Sequence, residues 1–496
     1  MKSESKRGAD VLLFNPAPRS GWQPHRRVEL PLNLLFPATS LVHAGYSVRI
    51  VDQFADPDWN KKFLEALAEK PICFGVSSMT GPQIIRALEA CRVFRSKYPD
   101  VPIVWGGIHA SLLPEQTLEN PYVDIVVIGE GEDTLPELVQ TLESGGNLGD
   151  VKGIAYQEKG CYRATGERPF IDLDKHPPLA YDLVDINLYR RKIFGSDHLS
   201  LNSSRGCLNR CGFCYDSVVH KRKWRAMQPR TVLEQMKRLI RDYDIRGFNF
   251  TDDNMFVNMN HAYSLLEEIT RADLGIRIGK LHIRADTIAR MDRDFLDLLV
   301  RAGVERLTIG VESGNQRILD LINKGLTPET VLEASRKLTG YPITPVYLFM
   351  MGLPTETPGE MRDSVGLARQ LLKENPRAGK SFNIYMPYPG TQLYRMAKEM
   401  GLREPSRLEG WSPLNYRHVH KESPWISDET KRLVEALDFP LMFMGKGHFY
   451  KKTNPAVKAM ARMYHPIAEY RTTHMDPRFP VETRLVKALG LFGRED

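Results

Sequence analysis

Short β-branched and apolar runs alternate with helical stretches along most of this chain, and the alternation is completed twice. No other feature limits the possible folds as strongly. Between residues 9 and 148 the runs are VLLFNP (11–16), SVRIVD (47–52), ICFGVSS (72–78), PIVWGG (102–107) and DIVVIGEGE (124–132). Helical stretches such as IIRALEACRVFRSKY (84–98) separate them. A helix that crosses over between strands leaves those strands parallel, and the sheet is then covered on both faces. The second pass runs from 193 to 400. Its candidate strands are HLSLNSS (198–204), GFNFTDD (247–253), IGKLHIRA (278–285), ERLTIGVES (305–313), TPVYLFMMG (344–352) and KSFNIYMP (380–387). Six such units predict a partial β/α barrel, with functional residues just after the strands.

Two segments complete the α/β plan. Residues 149–192 read as a linker that carries a small β element, the hairpin-like GIAYQEKGCYRATGE. Residues 401–496 are rich in Trp, Tyr, Met and His, and are expected to be mainly helical, on the substrate side of the barrel or closing its mouth.

Apolar and charged fractions of 42% and 26% are those of a soluble globular chain. The opening MKSESKRGAD lacks the apolar region of a signal peptide, and no run approaches the roughly 18 apolar residues of a membrane span. A cytoplasmic location is therefore expected. The net charge is +7, and from Lys446 to Asp496 ten Lys/Arg stand against five Asp/Glu. A solvated basic surface is the plain reading. An anionic substrate, or peripheral contact with an anionic membrane, is the sharper one. No nucleic-acid module accompanies the charge, so no nucleic-acid partner is expected.

Three of the six cysteines fall within eight positions, in SSRGCLNRCGFCYD (203–216). Three residues separate Cys207 from Cys211 and two separate Cys211 from Cys214, directly after the first barrel strand. Thiolates are the usual ligands of iron–sulfur clusters, and three of them leave one iron of a cubane open. A structural zinc site closes with four ligands, and no fourth cysteine or suitably spaced histidine lies nearby. Zinc and three free thiols are the competing readings.

With Phe213 before its last cysteine, the triplet resembles the signature of the radical S-adenosylmethionine family. The resemblance implies a [4Fe–4S] cluster whose open iron chelates S-adenosylmethionine and cleaves it reductively to a radical that abstracts hydrogen from substrate. It also implies a low-potential electron donor such as flavodoxin or ferredoxin. Carried over residue by residue, Phe213 meets the adenine. Asp252, Asp253 and Asn254 of TDDN stand where the family binds the methionine amino group, in place of the more common Gly-Gly-Glu. Arg284 pairs with the methionine carboxylate. Glu312 of GVESG bonds the ribose or the methionine moiety, and Gly352 of MGLPTET backs the adenine. Taken singly, Arg284 or Glu312 serves equally well as a structural ion pair.

Upstream, PLNLLFPATSLVHAGYSVRIVDQ, GVSSMTGPQ, VWGGIHASLLPEQTL and DIVVIGEGEDTLPEL resemble the cobalamin-binding, Rossmann-like domain of many such enzymes. The resemblance spans roughly the first 400 residues. It implies corrin contacts from Ser77, Ser78 and Thr80, from Gly106, Gly107 and His109, and from Gly129, Glu130 and Gly131. The Asp-x-His-x-x-Gly motif whose histidine ligates cobalt is absent, and His109 lies in a different context, GGIHAS. Cobalamin is therefore expected without a histidine ligand. The implied activity is methylation of an unactivated carbon of a small-molecule or lipid-like substrate. An anaerobic oxidative cyclase acting on a tetrapyrrole-like or lipid-like substrate is the alternative, and a non-catalytic cobalamin or redox sensor the alternative of another class. Trp411, Tyr416, Trp425, Phe439, Phe443, Phe449 and Tyr450 are candidate pocket aromatics, with core packing as their plainer role.

Overall fold

The computed structural model describes residues 9–18, 28–193, 196–414, 423–445 and 455–478. Two seven-stranded sheets organise it. The first holds β1 (Val11–Asn15), β2 (Val48–Asp52), β3 (Cys73–Ser77), β4 (Ile103–Gly106), β5 (Ile125–Val127), β6 (Ile154–Glu158) and β7 (Cys161–Ala164), in the order β2-β1-β3-β4-β5-β6-β7. All pairs through β5 are parallel. Near-continuous apolar strands follow from burial on both faces. Leu12 and Phe14 of β1 enter one core, and Val11 and Leu13 enter the other. Strand order reverses where β1 lies between β2 and β3, and in such sheets ligands bind in the crevice at that switch point. The hairpin expected in the connecting segment is not free-standing. Its strands β6 and β7 add antiparallel to β5 and extend this sheet.

The second sheet begins with β8 (Arg191–Ile193), antiparallel to β9 (Ser196–Leu201). A two-stranded ribbon, β10 (Ser204–Arg205) with β11 (Arg225–Ala226), brackets the cysteine loop. Then come β12 (Gly247–Phe250), β13 (Arg277–Arg284), β14 (Arg306–Glu312), β15 (Thr344–Met351) and β16 (Gly379–Ile384). The order β16-β15-β14-β13-β12-β9-β8 leaves β16 and β8 at opposite edges, so the barrel is open, as six units require. Outward residues such as Tyr347, Phe349 and Leu281 are buried under the surrounding helices. Those helices start on side-chain caps, among them Asn258, Asp292, Asn315 and Thr357. Polar residues therefore cluster at the strand ends, where loops turn into helices.

Helices Asp428–Phe443 and Pro455–His474 form the C-terminal region, and Leu433, Leu437 and Leu441 join the barrel core. Trp411, Trp425 and Phe443 are buried in core clusters, and Phe439 stacks on Phe443 and Tyr464. Phe439 and Phe443 thus serve packing, whereas Trp411 and Trp425, though buried, also line a cavity of about 270 Å³ with Tyr394 and Leu414. Tyr416, Phe449 and Tyr450 lie outside the described residues. No helix among the described residues is long and apolar enough to cross a membrane.

Candidate functional site

The cysteine loop leaves β10 through Gly206, whose φ of 84° carries the chain past the Lys223 carbonyl, where a Cβ would collide. The Gly212 N–H donates to the Ile322 carbonyl at 2.8 Å, and the Leu393 N–H donates to the Gly212 carbonyl at 2.9 Å. Cys211 is buried, while Cys207 and Cys214 are half-buried. All six cysteines are free thiols. Donors converge on the sulfurs: Asn209 Nδ2 lies 3.1 Å and Asn254 Nδ2 3.9 Å from Cys207 Sγ, and Arg284 Nη1 lies 3.9 Å from Cys211 Sγ. Burial pushes the Cys214 thiol up to about 12. It raises Cys211 as well, against the pull of Lys324 and Arg284. Thiols so placed become thiolates when a cationic metal binds them, and the surrounding donors then stabilise the sulfur charge. The donor set fits a cluster.

Residues from three strand ends, those of β12, β13 and β14, meet at this loop. Arg284 closes β13, donating to Asp286 Oδ1 at 2.9 Å and to the Lys324 carbonyl at 2.6 Å. Glu312 closes β14 at a bulge, with a left-handed φ of 70°. Non-glycine residues hold that conformation at a cost, and such strain clusters at functional sites. Its carboxylate pairs with Lys324 Nζ at 2.7 Å, both side chains are buried, and Lys324 lies 5.7 Å above the Phe213 ring. A Cβ on Gly310 would stand 2.6 Å from Glu312 Oε1, so the glycine makes room for this pair.

The TDDN residues take separate tasks. Asp252 is buried and accepts from the Ser203 N–H and from both the Ser203 and Ser204 hydroxyls, so its oxygens serve the β9–β10 turn. Burial pushes it up to about 6. Asp253 accepts from the Gly206 N–H at 2.8 Å, lies 4.0 Å from His220 Nε2 and keeps 31% of its side chain exposed. It is therefore the acid of the pair with room for a ligand. Asn254 caps the turn at Phe256 and turns its amide toward Cys207. Gly352, with φ 74°, is held through its N–H by Glu356 and through its carbonyl by Trp425 Nε1.

Lys324 was not foreseen from sequence. It stands alone before Gly325, and its partners Glu312 and Phe213 approach only through the tertiary fold.

The loops of the first sheet present small residues at the crevice. Ser77 Oγ accepts from Asn33 Nδ2 at 2.9 Å, whereas the buried Ser78 hydroxyl has no partner among the described residues. Gly106 ends β4, and at Gly107, with φ 89°, a Cβ would stand 2.7 Å from the Ser78 carbonyl. Gly129, with φ 80°, has open space at its Cβ position, and Gly131 abuts Pro37. An orphan Ser78 hydroxyl and, separately, the open backbone at Gly129 fit a ligand that backbone approaches closely.

His109 is wholly buried, 3.0 Å from Thr80 Oγ1 through Nδ1 and edge-on to Trp411 at 5.5 Å. It structures the loop from inside. Burial pulls its imidazole down to about 4, so the folded protein binds fewer protons than the unfolded chain between that value and 6.5. Stability should then fall as pH drops through this window, by roughly 3 kcal/mol in full. A His109→Gln protein should lose stability less steeply between pH 6.5 and 4 in urea titrations.

Glu130 faces the barrel instead of the crevice. It accepts from Arg225 at 2.8 and 2.9 Å, from Arg205 at 3.0 Å and from the Ile171 N–H at 3.0 Å. Glu132 pairs with the same Arg205 at 2.7 Å. The loop after β5 is thereby tied to the β10–β11 ribbon. The Glu130 carboxylate, expected at the corrin, is consumed by this network.

Known proteins resemble this chain in both of its domains. The radical SAM superfamily model matches residues 201–368, and the B12 binding domain model matches residues 27–139. An uncharacterised methyltransferase of Pyrococcus horikoshii is 29% identical over 74% of this chain and 78% of its own. An anaerobic magnesium-protoporphyrin IX monomethyl ester cyclase of Synechocystis is 30% identical over 78% of this chain and 77% of its own. The fold is similar to that of the cobalamin-dependent S-adenosylmethionine radical enzyme OxsB, solved with aqua-cobalamin and S-adenosylmethionine. The TM-score is 0.73 at 18% identity, over 98% of this chain and 75% of that one. The chain belongs to the radical S-adenosylmethionine enzymes that carry an N-terminal cobalamin-binding domain.

Proposed function

We propose that this enzyme methylates an unactivated carbon of a small-molecule substrate. One observation carries the reading. Arg205, two residues before the first cluster cysteine, is ion-paired to Glu130 and Glu132 of the first sheet. The loop after β5 of the first domain is thereby tied to the segment that enters the cysteine loop, which supports a corrin and a cluster acting together. When bound, the [4Fe–4S] cluster and S-adenosylmethionine supply a radical able to take hydrogen from carbon, and cobalamin supplies a methyl group.

The chain's own residues bind and orient. Cys207, Cys211 and Cys214 hold the cluster, and Arg284 and Lys324 set positive charge for the methionine carboxylate. Asp253 and Asn254 take the amino end. Glu312 meets the ribose, and Phe213 and Gly352 flank the adenine. Ser77, Ser78, Thr80 and the glycines 106, 107, 129 and 131 form the corrin bed, and His109 shapes it without ligating cobalt. The similarity to a methyltransferase supports the reaction class. The similarity to a cyclase favours a second reading, oxidative ring formation. A lipid-like substrate at an anionic membrane surface is a finer form of the first.

The test is anaerobic incubation of reconstituted protein with dithionite, in place of a flavodoxin or ferredoxin, and methyl-labelled S-adenosylmethionine. Labelled product with S-adenosylhomocysteine supports methylation. 5′-Deoxyadenosine without label transfer favours the cyclase, and absence of both cleavage products ends the enzyme reading. Lys324→Met leaves the buried Glu312 carboxylate without its cation, and should raise the KM for S-adenosylmethionine about tenfold, equivalent to about 1.4 kcal/mol.

A further inference from the structure

Inward side chains of a closed β/α barrel fill it in layers. Here, on β13, β15 and β16, the inward positions are the less buried ones. On β15, Tyr347, Phe349 and Met351 are buried outward, while Val346, Leu348 and Met350 on the inner face are only half-buried. On β16, inward Ser381 is half-buried and Asn383 exposed. The inner face on the β13–β16 side is thus partly accessible.

Its strands differ. Alternation along β13 puts Lys280 and His282 on the face that carries Arg284, with Leu281 and Ile283 in the outer core. His282 lies about 7 Å below Arg284 along the strand, and Lys280 about 13 Å below. In register, His282 stands beside Thr308, which stands beside Val346. The inner surface is therefore rich in donors on β13 and turns apolar two strands away on β15. Glu29 reaches Lys280 at 3.6 Å and engages part of its ammonium. His282 makes no hydrogen bond among the described residues, and burial with the Lys280 charge keeps its ring neutral.

We propose that Lys280 and His282 form a recognition floor that selects an amphipathic substrate, binding its terminal oxyanion, a carboxylate or a phosphate, while its apolar body lies along Val346, Leu348 and Met350 toward Arg284. The spacing suits it. A head held at the floor leaves about 7–13 Å of substrate below the cluster loop. Ammonium, hydroxyl and imidazole offer several donors to one anion, whereas a neutral chain end would leave them unmatched. The inference rests on the active-site reading above, because it takes the reacting carbon to lie near Cys211 and Arg284.

The probes are dodecanoate and dodecyl phosphate, with dodecanol as the neutral control, in equilibrium dialysis against reconstituted full-length protein. At least one anion should bind at a single site, tenfold or more tightly than dodecanol. The tighter anion identifies the source of the charge. Lys280→Met and His282→Leu should each weaken that anion about tenfold and leave dodecanol unchanged, and Lys280→Arg should retain most of the binding. Circular dichroism and the reduced-cluster EPR signal check that the variants are intact. The proposal is overturned if dodecanol binds as tightly as both anions, or if Lys280→Met and His282→Leu bind the anions as the parent does. Failure of the parent to cleave S-adenosylmethionine would remove the active-site reading. Indifference to charge with cleavage intact removes only the floor.

Discussion

Cys211→Ala protein, reconstituted anaerobically with iron and sulfide, is expected to lose most of its cluster iron and to cleave S-adenosylmethionine at least about a hundredfold more slowly. Cys211 is the buried member of the triplet, and Arg284 and Lys324 both act on its sulfur. Removing the thiolate leaves two ligands, and the two cations then face a void in place of a negative sulfur. The comparison that gives the experiment its force is Cys161→Ser. Cys161 is exposed on the hairpin β6–β7, so that variant should keep both iron and cleavage. Iron analysis, the cluster's visible absorption and chromatography of 5′-deoxyadenosine provide the readings. A Cys211→Ala protein with a full iron complement would remove the triplet from the site.

The second large effect concerns the joint between the two sheets. Arg205→Ala should destabilise the folded protein by about 3–5 kcal/mol, because it leaves the buried Glu132 carboxylate without its cation. Glu130 keeps Arg225, but Glu132 loses the cation 2.7 Å away. Arg205 also lies over the Phe36 ring at 4.4 Å, so packing is lost with the charge. The pH dependence has a defined sign. Burial works to raise the Glu130 pKa, but Arg225 and Arg205 outweigh it and hold the carboxyl below its ordinary 4.5. Its contribution to stability is therefore present above that value and is lost as pH falls through the depressed one. The gap between parent and Arg205→Ala should be widest near neutrality and narrow in acid, as read by urea unfolding at several pH values. An unchanged gap at pH 7 and pH 4 would mean that packing, not charge, makes the joint.

How much of this was legible in the sequence depends on the range of each interaction. Strand runs were readable because alternation and β-branched content are local, and β1, β3, β13 and β15 lie within a residue or two of their expected places. The hairpin at Ile154–Ala164 was readable as a hairpin, but its docking to β5 was not, since an edge is completed by whatever strand lies nearest in space. Asp252 and Asp253 were adjacent and indistinguishable in sequence. Only the turn at Ser203 and Ser204 consumes one and leaves the other available. Glu130 looked like a loop residue at a ligand, and the approach of Arg205 and Arg225 from a distant ribbon turned it into half of a joint.

The sequence by itself determined the chemistry that spacing can encode. Three thiols within eight positions belong to one loop, and residues at the ends of successive parallel strands are delivered to one rim by the connectivity of the fold. The tertiary structure decided everything that depends on partners far apart in the chain. It placed Lys324 against Glu312 and Phe213, drove His109 inside under Trp411, and left the barrel open with Lys280 and His282 along its inner wall. The physical reason is the same in each case. A side chain's charge state and role are set by the groups that exclude water from it, and those groups are chosen by packing rather than by sequence neighbours.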